Sequence, residues 1–89
     1  MTIYQNEQLT LAEMRTGQTG TVVGVLGGHG LIRRLDALGI RPGKKVTKIS
    51  SALFHGPVTL KVDNARVAVG FGMAKKITVE VDKHLPRAS

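Results

Sequence analysis

GGHGLIRRLDALGIRPG, running from Gly27 to Gly43, sets a helix between two glycine-marked breaks. Leu31, Ile32, Leu35 and Leu38 recur at the spacing of one helical face, about 100° per residue, so the sequence predicts a short helix with that face buried. Arg33 and Asp36 then fall on the opposite side and Arg34 on the flank, leaving a cationic edge outside. Gly39 stands where a helix end calls for a left-handed residue, and Ile40 can reach back to Leu35, the form of a Schellman stop. Pro42-Gly43 suits the central pair of a type II turn, because proline fixes φ near −65° and glycine accepts positive φ. A strand is expected to follow.

Upstream, TGTVVGVL from Thr19 to Leu26 is rich in β-branched residues and too short for a typical helix. It reads as the first strand, with Gly24 marking a bulge or a close approach. Before it, Thr10 and Glu13 have the spacing of a capping box, which starts a helical turn through Leu11 and Met14 that Gly17 ends. Downstream, Lys44 to Leu53 reads as a second strand, in which Val46 and Ile49 have opposite parity and cannot both face one core without a bulge. Phe54 to Pro57 is a turn. Val58, Leu60 and Val62 then alternate with Thr59, Lys61 and Asp63, as a strand with one wet face requires. Asp63-Asn64 supplies turn residues, and Arg66 to Val69 returns with Val67 and Val69 inward. Met73-Ala74-Lys75 reads as a tight turn, and Ile77, Val79 and Val81 alternate with Thr78, Glu80 and Asp82 in a last strand. Residues 1–8 and 83–89 read as flexible ends around a core of about 9–82.

Strands this short, joined by tight turns in an 89-residue chain, point to one all-β domain over residues 1–89. Closure removes aggregation-prone edges, so the expected architecture is a small SH3-like β-barrel of about five strands, with one short helix after the first strand. An OB-type barrel is the nearest alternative, although its helix usually falls between the third and fourth strands.

Thirteen Lys and Arg against six Asp and Glu give a net charge of +7, which suits an acidic protein, nucleic acid or an anionic lipid surface. The charges are scattered, with pairs at Arg33-Arg34, Lys44-Lys45 and Lys75-Lys76 bordering predicted elements. Arg33, Arg34 and Arg41 along the helix edge, joined by Lys44 and Lys45 after the turn, form the candidate partner-binding surface, since the arginine fork pairs bidentately with carboxylate or phosphate. Aromatic residues are limited to Tyr4, Phe54 and Phe71. That disfavours nucleic acid and PxxP peptides, because base stacking and proline recognition both need aromatic platforms. No apolar run approaches the roughly 18 residues of a membrane span. The N-terminal MTIYQNEQLTL has neither a basic n-region nor a continuous apolar stretch, and the chain has no cysteine; a cytoplasmic location is expected.

The absence of cysteine excludes thiolate metal sites, leaving His29, His55 and His84 as nitrogen ligands. His29 and His55 both fall in predicted loops, so a shared site with Asp36 or Asp63 for Fe2+ or Zn2+ is the metal reading. No cofactor is required by any motif. Gly27-Gly28-His29-Gly30 precedes a helix, as phosphate loops do, but lacks the Lys and Ser or Thr of a P-loop and the remainder of a dinucleotide fingerprint. The serines have no histidine at an interpretable spacing and the acids fall on wet faces or caps, so the chain reads as a non-enzyme.

Leu11 and Met14, Gly17 and Gly20, Gly27-Gly28, Arg34-Leu35, Leu38-Gly39-Ile40 with Pro42-Gly43, Gly56-Pro57, and Ala74 with Ile77 and Val79 together resemble the FeoA family. That resemblance implies an SH3-like barrel and a cytoplasmic accessory role in ferrous iron uptake, through contact with the FeoB transporter, whose cytoplasmic portion includes a GTPase domain. The same module is similar to the C-terminal domain of DtxR-type iron-dependent repressors. A metal-responsive regulatory domain of that kind and a basic nucleic-acid-binding barrel are therefore the alternative functions.

Overall fold

The computed structural model describes residues 4–51 and 54–84. Six strands and two short helices follow in the order β1 (Tyr4–Thr10), β2 (Thr19–Val25), α1 (His29–Ala37), β3 (Lys45–Ser51), β4 (Val58–Val62), β5 (Ala65–Val69), α2 (Phe71–Ala74) and β6 (Ile77–His84). All pairings are antiparallel, in the sheet order β1-β6-β2-β3-β4-β5. The small-β, SH3-like class expected from the sequence is the one found. Among the described residues β1 and β5 are not paired with each other, so the barrel stays open.

The strand count is six where about five were expected, and the helix follows the second strand. The additional strand is β1, which runs beside β6 from Tyr4 opposite His84 to Thr10 opposite Thr78. Of the ends expected to be flexible, 1–8 and 83–89, residues 4–8 lie in β1 and residues 83 and 84 in β6; residues 1–3 and 85–89 lie outside the described residues, as do positions 52 and 53 of the second predicted strand. Gln5, Asn6, Glu7 and Gln8 carry no apolar alternation, which is why β1 has no strand signature in the sequence.

Both irregularities read from the sequence are present. The β2–β6 register shifts between Val22 and Gly24, and the β3–β4 register shifts between Lys48 and Ser50, placing Ile49 in the bulge. A bulge puts one extra residue on one strand, so side chains on either side of it keep the same face despite odd spacing. The Thr10/Glu13 box is closed in both directions, Thr10 N–H donating to Glu13 Oε1 at 2.9 Å and Glu13 N–H to Thr10 Oγ1 at 3.3 Å. Leu11 and Met14 from this turn are buried with Val22, Leu60, Ile77 and Val79 in one core. At Gly20 the strands β2 and β6 approach so closely that a Cβ would lie 2.8 Å from Val81 Cγ1 and 3.0 Å from the Glu80 carbonyl oxygen.

The helix stop also has the expected form. Ile40 N–H donates to Leu35 O at 2.8 Å and Gly39 N–H to Asp36 O at 2.9 Å, the two bonds of a Schellman motif, while Gly39 has φ of 86°. Leu35 and Ile40 are both buried. Lys44 N–H donating to Arg41 O at 3.0 Å closes the turn whose third residue, Gly43, has φ of 91°. A Cβ at Gly39 would meet Val62 Cγ1 at 3.3 Å, so Gly39→Ala adds crowding to left-handed strain. We expect it to cost about 1–2 kcal/mol, read as a lowered urea midpoint at unchanged m-value.

Candidate functional site

Helix α1 is short and touches the sheet along a narrow line, so its apolar residues have different fates. Leu35 is fully buried and Leu31 packs partly against the core, but Ile32 is 41% exposed and Leu38 37% exposed. The expectation that all four occupy one buried face is corrected here. Leu26, in the connection ahead of α1, is 71% exposed.

Beside α1 lies an open groove of about 250 Å³. Val25, Ile32, Ile40 and Pro42 give it an apolar lining, and Arg33, Asp36 and Arg41 supply its charged groups. Its volume falls below the usual range of small-molecule pockets, and suits a single anchoring side chain. Gly39 and the Pro42-Gly43 turn create the groove, because they stop the helix and send Ile40 and Pro42 back across its flank.

The five predicted partner-binding residues are not equivalent. Arg41 Nη1 lies 3.1 Å from Asp36 Oδ1, and Lys44 Nζ lies 2.9 Å from Asp63 Oδ2. Arg33, Arg34 and Lys45 are exposed and, among the described residues, have no carboxylate within salt-bridge distance. The cationic edge is therefore formed by two arginines of α1 and the first residue of β3, with Arg41 and Lys44 already engaged by acids of this chain.

His29 is the first residue of α1, where a loop was expected, and is exposed. His55 occupies the turn between β3 and β4 with φ of 60°, its ring stacked on Phe71 at 4.4 Å between centroids and 13° between planes. Asp36 and Asp63, the acids considered as companions to these histidines, are engaged by Arg41 and Lys44. Among the described residues no group of three or more His, Asp or Glu side chains is placed to hold a metal ion. Phe54, next to His55, is 98% exposed at φ of 57°.

Lys48 was missed by sequence reasoning. Only 4% exposed, it points into the sheet interior and its Nζ donates to the carbonyl oxygens of Met14 and of Ala12, the latter at 3.2 Å. Burial pushes its ammonium below its ordinary value. The available signal was parity itself, since Lys48 stands two residues after Val46, ahead of the bulge, and alternation therefore puts it on the same side. Lys48 ties the Thr10–Met14 turn to β3 and is a structural residue.

Comparison with known proteins agrees with this architecture. The FeoA domain matches residues 9–81. A Methanocaldococcus jannaschii chain bearing the name Fe(2+) transport protein A is 34% identical over 70 residues, covering 79% of this chain and 83% of that one. A crystal structure of an iron uptake regulatory protein, FeoA, superposes with a TM-score of 0.79 at 33% identity, over 85% of this chain and 99% of the other. A manganese-dependent transcriptional repressor shares the fold at a TM-score of 0.78 and 24% identity, over 86% of this chain and 43% of its own. No helix among the described residues is long and apolar enough to cross a membrane. With the family match spanning most of its length and a family structure superposing on most of the chain, the chain belongs to the FeoA family, which is linked to Fe2+ transport.

Proposed function

We propose that this chain is a non-enzymatic cytoplasmic accessory protein of ferrous iron uptake, which docks on the cytoplasmic region of an FeoB-type transporter through the α1 edge. The observation that carries this reading is the juxtaposition, on one flank of α1, of exposed Ile32 with Arg33, beside Arg34 on the same helix. An apolar centre with an arginine rim is the composition of protein interfaces. Family membership supplies the iron transport context. The nucleic-acid alternative is less well supported, because Arg41 and Lys44 are engaged by Asp36 and Asp63 and the chain has few aromatic residues for stacking. The metal-responsive alternative lacks a ligand cluster among the described residues.

Binding of the purified chain to the transporter's cytoplasmic region tests the proposal. The double variant Arg33→Glu, Arg34→Glu should weaken binding by about tenfold or more, since reversing charges converts attraction into repulsion. Undiminished binding by that variant would move the interface elsewhere. A deletion strain that takes up ferrous iron normally would reject the accessory role itself.

A further inference from the structure

The groove beside α1 contains a carboxylate that no cationic docking surface needs. Asp36 lies in the last turn of α1, where the negative end of the helix dipole disfavours an acid. Its partner is Arg41, whose Nη1 lies 3.1 Å away on the other side of the helix stop. Both side chains are more than half exposed, so the pair is screened by solvent and easily exchanged. Asp36 and Arg41 also share the groove with Val25, Ile32, Ile40 and Pro42.

We infer that the groove receives an apolar side chain of a protein segment that also carries a carboxylate, and that Asp36 is the internal competitor which this carboxylate displaces from Arg41. The inference rests on the docking reading above and specifies its chemistry. The incoming apolar residue covers Ile32 and the apolar lining, Arg33 stands ready for an acid on one side, and Arg41 becomes available only when its bond to Asp36 is exchanged. Charge complementarity argues for an acidic amphipathic segment as the occupant: the chain carries +7 overall, and Arg33 and Arg41 both line the groove. Asp36 then works against loose binding of any acidic surface, because a partner lacking the apolar anchor must break an ion pair without gaining buried apolar area.

Asp36→Asn separates this from a general attraction. The substitution removes the competing charge from an exposed site and relieves the unfavourable dipole contact, so folding is retained. Binding to the transporter's cytoplasmic region, followed by titration calorimetry, should tighten by about three- to tenfold, with the gain shrinking at high salt. Ile32→Ser should weaken the same binding by about tenfold, with an unchanged circular dichroism spectrum. If the wild type binds and Asp36→Asn binds equally or more weakly, the competitor role is overturned while the docking surface stands. Unchanged affinity of Ile32→Ser removes the groove as the anchor site. If neither wild type nor Asp36→Asn binds, both the inference and the docking reading fall.

Discussion

Leu35→Ala should lower the thermal midpoint by about 10–25 °C, from a loss of about 3 kcal/mol in a domain of this size. Leu35 is fully buried, so truncation removes transfer energy and leaves a cavity that a short helix fixed at its end cannot collapse. Its carbonyl oxygen accepts the Ile40 N–H that completes the helix stop, so loosening at this position also disturbs Ile40, which lines the groove beside α1. Differential scanning calorimetry checks the stability, and binding to the transporter region checks the coupling. A shift of less than about 4 °C would mean that α1 is an appendage and not part of the core.

Lys48→Ala should cost about 2–3 kcal/mol, and Lys48→Met much less, with about 1 kcal/mol expected. Alanine forfeits the packed stem and leaves the Ala12 and Met14 carbonyls without their donor, whereas methionine retains the stem and removes the burial cost of a charge. Urea denaturation of both variants distinguishes packing from hydrogen bonding; equal losses would assign the site's stability to its two bonds. The pH dependence has a definite sign. The folded chain holds the Lys48 proton less tightly than the unfolded chain, whose value is near 10.5. Between the lowered folded value and 10.5 the unfolded chain therefore binds more protons, and stability from this site rises with pH across that window. Below the window the charging penalty is present in full. The wild type should accordingly gain on Lys48→Met as pH is raised towards 10.5, the neutral amine still having two protons for two carbonyls.

Local instructions were readable because local geometry decides them. Gly39 with Ile40, Pro42-Gly43 and Thr10 with Glu13 each form hydrogen bonds within a few residues, so spacing alone carried them. The strand from Val58 to Val62 was equally legible, since alternation and half-burial are the same fact seen twice. What depended on distant neighbours was not. The 3.6-residue period identified a helix face but could not say how much of it the sheet would cover, and Ile32 and Leu38 came out exposed. Strand β1 is polar along Gln5 to Gln8 and exists through its pairing with β6. Lys48 lies inside because two carbonyls await it, and the pairing of Arg41 with Asp36 and of Lys44 with Asp63 divided a group of cations that looked uniform in the sequence.

The register that sets Tyr4 against His84 brings the polypeptide in and out at a single corner. A module with adjoining entrances can be spliced onto a larger host without stretching its own backbone, since the host needs to supply only one attachment point. A manganese-dependent repressor carries this fold within a longer chain, of which it accounts for less than half. The same architecture thus occurs both in chains of about its own length and as less than half of a longer one.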